Sequence, residues 1–473
     1  MNMSWSRYNC LFHSRQFGYF LFNARSAVLL ELDAYHYNIA QRLQEKGAFH
    51  KSQEEADFFQ LLEDCMVLVD EQDDERWLLQ QRYRRNLASF STETLGLVIC
   101  PTLACNFNCP YCFESTHHDR SSMSDKTADE LLRFVEWHSD TRQLLVTWYG
   151  GEPTLAFERL VDLTRKFQKR YPGRYKADLV TNGFELDRQK IRSLESLDIT
   201  KVQITLDGLE DTHNKRRPHM HGKPTFRRIL DAVDMLLHSS YTGTIDLRVN
   251  IDHTNQEEYP ALLDLIRQRF DDKRVKVYPG HINTVSGKTH TQCALCGNEW
   301  LELAVDTYFR HGIVPPGALY PQPRPFTICT ATSHYGYIVG PEGELYKCWE
   351  DVGKPERVVG TISCMEALEE SELTWRYMTG TDPYHDPSCQ ECPVLPVCGG
   401  GCPNKRLRAL QFNEKDLEYC APFKDRLEQC LEVYCDLFRT RELCNVFLGE
   451  SENPGLSPSG YRVIHQGAQS THS

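Results

Sequence analysis

Between residues 92 and 290 short apolar runs alternate with longer amphipathic ones. The runs at 95–100, 144–149, 177–180, 202–206, 245–250 and 275–278 have strand length and strand composition. Between them, 125–138, 155–170, 188–196, 226–238 and 257–270 space their apolar residues as helices do. Strands that alternate with helices predict a parallel α/β sheet of βα units. Function is then expected at the C-terminal strand ends, where the loops that carry side chains leave the sheet. Ahead of this region the period changes. Residues 8–13, 17–23 and 27–32 read as short strands separated by turns. Asp33 is placed to cap a helix over 34–45 that Gly47 closes. A second helix over 54–65 puts Phe58, Leu61, Leu62 and Cys65 on one face, and 66–70 reads as a strand. Strands followed by short helices predict a small winged-helix-like module over 1–88. Cys10 and Cys65 read as part of its core.

The chemistry sits just after the first βα strand, in Cys105-Asn-Phe-Asn-Cys109-Pro-Tyr-Cys112. Three thiolates in so tight a loop hold three corners of one iron–sulfur cube and leave the fourth iron without a protein ligand. A zinc site is the alternative, but zinc loops pair a Cys-x2-4-Cys with a second pair, and none lies nearby. Tyr149-Gly150-Gly151-Glu152-Pro153 follows the second strand; its glycines permit close backbone approach to a ligand, and Glu152 can accept from an ammonium.

These residues resemble the radical S-adenosylmethionine (SAM) enzymes, with Tyr111 standing before the last cysteine as it does in that family. The resemblance implies a partial (β/α)6 barrel and a [4Fe–4S] cluster on Cys105, Cys109 and Cys112 whose open iron binds SAM. It implies that SAM is cleaved to a 5′-deoxyadenosyl radical, chemistry that the cofactor carries and the protein positions. Gly150, Gly151 and Glu152 match the family's GGEP motif, which holds the SAM amino group. Thr205 matches a hydroxyl near the SAM carboxylate or ribose. Arg217, in His213-Asn-Lys-Arg-Arg217, suits a carboxylate as a forked donor, and Asn250 closes a further family-like stretch. For Asp207, His213 and Asn250 a turn-holding role stands beside ligand contact. Tyr111 and Phe113 either pack on the adenine or bury the cluster.

Further on, Cys329 and Cys348, with Gly343 between them, precede Cys389, Cys392, Cys398 and Cys402, and Cys420 follows. The spacing matches the SPASM pattern at each of these positions, with a zinc ribbon as the alternative. The resemblance implies one auxiliary [4Fe–4S] cluster on Cys389, Cys392, Cys398 and Cys420. A second is implied on Cys329, Cys348 and Cys402, making three clusters in all. The fourth ligand of that second cluster is open, with Cys293, Cys296 and a substrate thiolate as candidates. Cys364, Cys430, Cys435 and Cys444 default to burial or free thiols. The expected organisation is a peptide-binding module over 1–88, the radical SAM domain over 92–290, a linker over 291–325, the SPASM domain over 326–430, and an extension over 431–473. The polar tail from about 450 is expected to be disordered.

Composition narrows the class. The chain has 473 residues, enough for several cores, with 25% charged and 40% hydrophobic residues. A net charge of −13 excludes a general nucleic-acid binder, since no basic excess exists to neutralise phosphates. With no apolar run of signal-peptide or membrane-spanning length, the expected site of action is the cytoplasm, and the 19 cysteines read as metal ligands. The N-terminal module resembles a RiPP recognition element, which binds the leader of a ribosomally made precursor peptide by adding it as a strand to a sheet edge. That implies a peptide maturase forming a thioether or carbon–carbon crosslink, with flavodoxin or ferredoxin as electron donor. The alternative is an anaerobic sulfatase-maturating enzyme, a family that typically lacks so long a leading segment. It also carries an aspartate where Trp349 stands here, although Glu350 or Asp351 could take that proton. A non-catalytic electron carrier has no use for an open iron or a SAM motif.

Overall fold

The computed structural model describes residues 3–46, 55–112, 120–282, 294–313, 321–324, 329–364, 368, 370–415, 417–447 and 461–465. Gly47, Phe113 and Cys293 lie outside them, as does the side chain of Cys444. The chain divides into two compact units that do not follow the sequence boundaries. One comprises Met1–Leu87, Gly297–Thr327 and Asp382–Ser473; the other comprises Ala88–Cys296 and Ile328–Thr381. The division cuts through the cysteine-rich region expected as one domain over 326–430.

The first unit begins with β1 (Met3–Trp5), which pairs antiparallel with β5 (Leu68–Asp70). Between them, β2 (Asn9–Ser14), β3 (Gly18–Asn23) and β4 (Val28–Leu32) form an antiparallel meander, as the strand-length runs predict. Side chains alternate across a pleat, and here both faces are buried. Leu21, Leu30 and Leu32 pack with Ile39, Leu43, Phe58 and Leu62 from the helices Ala34–Lys46 and Ala56–Asp64. Phe12, Phe20, Phe22 and Leu29 join a second cluster with Val394, Leu395, Leu427 and Leu431. That two-sided burial is why the strands read as nearly continuous apolar runs. Asp33 accepts from the backbone N–H of His36 at 2.8 Å, the expected cap. The segment expected as a linker contains the helix Gly297–His311, whose Tyr308 hydroxyl donates to Asp436 at 2.7 Å.

The second unit is built on one sheet. The strands β6 (Thr94–Ile99), β7 (Gln143–Trp148), β8 (Tyr175–Thr181), β9 (Ile199–Thr205), β10 (Thr244–Ile251) and β11 (Val275–His281) pair in parallel, each beside its sequence neighbour. These are the six expected strands. β12 (Gly336–Val339) adds in parallel outside β6, and β13 (Glu344–Tyr346) and β14 (Gly360–Thr361) follow antiparallel. The cysteine region around Cys329 and Cys348 is thus an extension of the catalytic sheet. Helices return the chain between strands, with Ser124 and Asp187 capping Asp125–Trp137 and Arg188–Leu194.

The tail corrects one expectation. β15 (Tyr461–His465), in the stretch expected to be disordered, pairs antiparallel with β4 and makes the first unit's sheet four-stranded.

In that unit buried Asp74 gathers donors from distant segments: the Ser6 hydroxyl at 3.0 Å, the Arg7 backbone N–H at 2.9 Å and the Arg25 guanidinium at 2.7 Å. Removing a buried acceptor of several hydrogen bonds leaves its donors desolvated. Asp74→Ala is therefore expected to destabilise this unit by about 2 kcal/mol or more. Urea denaturation followed by tryptophan fluorescence checks it, and an unchanged midpoint contradicts the role.

Candidate active site

Each functional loop leaves the C-terminal end of a parallel strand. After β6, Cys100 and Pro101 lead to Thr102, whose hydroxyl accepts from the Ala104 backbone N–H at 3.0 Å and donates to the Ser121 carbonyl at 3.0 Å. This fixes the start of the cysteine loop. The backbone N–H of Gly151 donates to Thr102 O at 3.1 Å and that of Glu152 to Ala104 O at 2.9 Å, locking the loop after β7 to it. The glycines of that loop do what the sequence reading assigned to ligand approach. A Cβ on Gly150, at φ +109°, would meet Thr102 O at 2.4 Å; one on Gly151 would meet the carbonyl oxygens of Leu103 and Ala104 at 2.4 Å. They admit the cysteine loop's own backbone.

Glu152 is fully buried and holds three loops together. Its Oε1 accepts from the Thr154 backbone at 3.0 Å, the Thr154 hydroxyl at 2.5 Å and the Thr181 hydroxyl at 2.6 Å; Oε2 accepts from the Asn182 backbone at 2.7 Å. Burial still pushes its carboxyl above the usual range, against those hydrogen bonds. Among the described residues Oε2 carries one donor where it has room for two, so an ammonium can still be accepted there. Asn182 also donates to Asn106 at 2.7 Å, and Asn106 to Glu185 at 3.1 Å, which ties the loop after β8 to the middle of the cysteine run. Asn106 and Glu185 carried no sequence signal beyond lying near a motif.

A second buried group closes the other side of the cysteine loop. Tyr111 donates its hydroxyl to Asp207, accepts from Arg217 at 2.8 Å and accepts from the Asn250 amide at 3.4 Å. Asp207 accepts from the Asn250 backbone at 3.1 Å, and its own N–H donates to His213 Nδ1 at 3.1 Å. Arg216 lies over the Tyr111 ring at 5.1 Å and pairs with Asp252 at 2.7 Å. Tyr111 therefore anchors the loop through its hydroxyl. His213 and the Asn250 backbone take the turn-holding role, and the helix Glu210–Arg216, absent from the predicted elements, carries both arginines' approach. Thr205 ends β9, buried, opposite Arg248 of β10.

Burial pushes the Cys105 thiol up to about 12, with Glu152 and its sister thiols Cys109 and Cys112 adding to the effect. The three thiols are thus within electrostatic reach of one another. Among the described residues no three ligating side chains sit close enough to share a single metal ion. Three thiols of one loop suit three irons of one cube. The Nε atoms of Arg216 and Arg217 are buried without a hydrogen-bond partner among the described residues, as is Nε2 of His213. Orphaned guanidinium donors beside the thiol loop suit a carboxylate.

In the same sheet, Trp349 packs edge-on against Tyr149 with ring centroids 4.6 Å apart, and Val98, Cys100, Ile338 and Tyr346 form the core beneath. Lys347 is buried over the Tyr337 ring and donates to the carbonyls of Ser333 and Gly336 at 2.6 and 2.7 Å. Burial brings its ammonium down to about 7, with Cys329 opposing. Asp351 is buried and accepts from the Tyr377 hydroxyl at 2.5 Å, a structural role.

In the first unit, burial pushes the thiols of Cys389, Cys392 and Cys420 up and the neighbouring Cys398 adds to this, while Lys424 and Arg406 offset it, Arg406 donating to Cys389 Sγ at 2.8 Å. Gly401 allows this gathering: its φ is +72°, and a Cβ there would lie 1.7 Å from Tyr419 O, next to Cys420. Cys402 is exposed and belongs to this unit, Cys329 and Cys348 to the other.

Residues 99–266, which hold the cysteine loop, the glycine pair and the Asp207 group, match the Radical SAM superfamily. These residues are a radical SAM domain. The chain is 24% identical over 381 residues to the serine-type anaerobic sulfatase-maturating enzyme of Bacteroides thetaiotaomicron, covering 72% of this chain and 90% of that protein. It is 23% identical over 317 residues to the mycofactocin maturase MftC of Mycolicibacterium smegmatis, covering 64% and 76%. The solved structure of native anSMEcpe with bound AdoMet matches 75% of this chain and 100% of its own with a TM-score of 0.54 at 18% identity, which shows the shared fold. A radical SAM fold implies SAM and a [4Fe–4S] cluster, and the donor set described here fits both. Among the described residues no helix is long and apolar enough to cross a membrane.

Burial, then Arg217 and Arg216, holds His213 far below the ordinary histidine pKa of about 6.5. A histidine kept neutral in the fold stabilises above that pH and loses its contribution as pH falls, because the unfolded chain binds the proton. His213→Gln is expected to flatten the acid limb of stability below about pH 6.5 by up to about 1.4 kcal/mol per pH unit. Urea midpoints at several pH values check this; an identical acid limb in both proteins contradicts it.

Proposed function

We propose that this chain is a cytoplasmic radical SAM peptide maturase that oxidatively modifies a ribosomally made precursor, forming a thioether or carbon–carbon crosslink. The observation that carries the reading is the three-stranded meander β2–β4 with its two helices, which supports the expectation of a peptide-binding module over 1–88. Such a module suits a leader peptide, which can add as a further strand. Bound SAM and its cluster supply the radical that removes a hydrogen atom from the peptide.

The chain's own residues do the rest. Cys105, Cys109 and Cys112 hold the cluster. Gly150 and Gly151 seat the cysteine loop, Glu152 Oε2 accepts from the SAM ammonium, and Arg217 addresses its carboxylate, with Thr205, Tyr111 and Asn250 around it. The gathered thiols of Cys389, Cys392, Cys398 and Cys420 hold one auxiliary cluster, with Lys424 and Arg406 compensating its charge. Cys329 and Cys348 belong to a second. These cysteines would hold the auxiliary groups that take up the second electron of a net two-hydrogen oxidation, and a flavodoxin or ferredoxin would supply the electron for SAM cleavage. Nothing in this assignment calls for nucleic acid or a membrane.

A second reading, sulfatase maturation, draws support from the likeness to the Bacteroides enzyme over most of the chain. Against it, Trp349 packs on Tyr149 where the proton-accepting aspartate of that family is expected, and Asp351 is engaged by Tyr377.

Anaerobic co-expression with the short peptide encoded beside the gene separates the two. The expected result is a loss of two hydrogens per modification, absent with Cys105→Ala, with fragment ions locating the bond. An unaltered peptide, together with formylglycine in a co-expressed sulfatase, contradicts the maturase reading.

A further inference from the structure

The strand β15 occupies a position of consequence. The first unit's sheet runs β15–β4–β3–β2, so residues 461–465 cover the edge of β4 that the meander leaves open. All five residues of β4, Val-Leu-Leu-Glu-Leu, are buried. An apolar strand with an open edge is a template for any extended chain, and here the chain supplies one itself.

The contacts are side-chain specific. Tyr461 packs against His36 and Phe58, with ring centroids 5.1 and 5.2 Å apart, and Val463 lies against the same core as Leu30 and Leu32. Arg462 donates to Glu31 Oε2 at 2.6 Å. Glu31 also accepts from Arg439 at 2.7 Å through its other oxygen. Release of Arg462 therefore leaves Glu31 paired, which makes the tail cheap to exchange. The strand is short, and its register breaks between Val463 and His465.

We infer that the β4 edge is a peptide-docking edge and that residues 461–465 are a displaceable stand-in for the precursor, which must compete them away. The inference rests on the maturase reading for the identity of the competitor. The pattern of the stand-in defines the ligand: an extended segment with aromatic or branched apolar residues two apart and a basic residue between them, facing Glu31. A tethered occupant competes at an effective concentration on the order of millimolar. Only a peptide that binds well then opens the edge, so the tail filters weak partners.

The test uses a fluorescein-labelled peptide of residues 459–467 and the reconstituted chain. A chain ending at Leu456 is expected to bind the labelled peptide at least tenfold more tightly than the full chain. The peptide carrying Arg462→Glu is expected to lose at least tenfold on the truncated chain. Full-length Arg462→Glu, which keeps every other residue, is expected to show the same gain as truncation and guards against a folding defect. The precursor encoded beside the gene is expected to displace the labelled peptide. If neither the truncated chain nor full-length Arg462→Glu binds the peptide better than the full chain, the edge is not a docking edge and the inference falls, while the precursor mass still stands for the maturase reading. If the peptide binds as expected but the precursor does not displace it, the exchange is overturned. A precursor of unchanged mass with intact peptide binding overturns the maturase reading alone.

Discussion

Two loops touch where no side chain fits. The backbone after β7 passes so close to the cysteine loop that a single Cβ on Gly150 or Gly151 would lie 2.4 Å from a carbonyl oxygen. That contact, sealed by the hydrogen bonds from Gly151 and Glu152 to Thr102 and Ala104, sets where the three thiols stand. A ligand set fixed in advance binds its metal more tightly, because flexible thiols give up ordering entropy on binding. The rest of the site is arranged around this seat. Glu152 joins it to the loop after β8, and Asn106 joins the middle of the cysteine run to Asn182.

On the far side, the seat is held by charge. Asp207, Arg216, Arg217 and Asp252 are two anions and two cations in a buried place, with Tyr111 bridging Asp207 and Arg217. Buried ions persist only when paired and hydrogen-bonded. Here the pairing leaves the Arg216 and Arg217 Nε donors unsatisfied among the described residues. The same architecture keeps His213 neutral, so a pH-sensitive group serves as a fixed acceptor for the Asp207 N–H.

Much of this was legible from the chain. The six parallel strands followed from apolar runs of strand length between amphipathic helices, and Cys105, Gly150, Thr181 and Asp207 each fell at a strand's C-terminal end as the alternation required. Spacing pointed to close backbone approach at the glycines, and the neighbouring backbone that they also admit carries no signal in the sequence. Tyr111 was read as an aromatic surface, since nothing in the sequence pairs it with an aspartate 96 residues away. The helix Asp73–Ser89 was missed because its pattern is inverted: Asp74, Gln81 and Arg85 are buried while Leu79, Tyr83 and Leu87 are exposed. The tail was read as disordered because five strand residues in a polar setting carry no periodicity, and their partner lies more than 400 residues earlier. The cysteine region read as one domain is shared between two units, since cysteine spacing reports ligand sets and not which core each segment joins.

The account stands on the claim that backbone contact at the glycine pair builds the radical SAM site. The most direct measurement compares 5′-deoxyadenosine release by the anaerobically reconstituted, reduced wild-type chain and by Gly151→Ala, with iron counted in both. Release by the wild type, a loss of at least tenfold in Gly151→Ala and a retained native melting transition are the predicted results. Equal release by the two proteins would show that the loops do not need that contact, and would contradict the account.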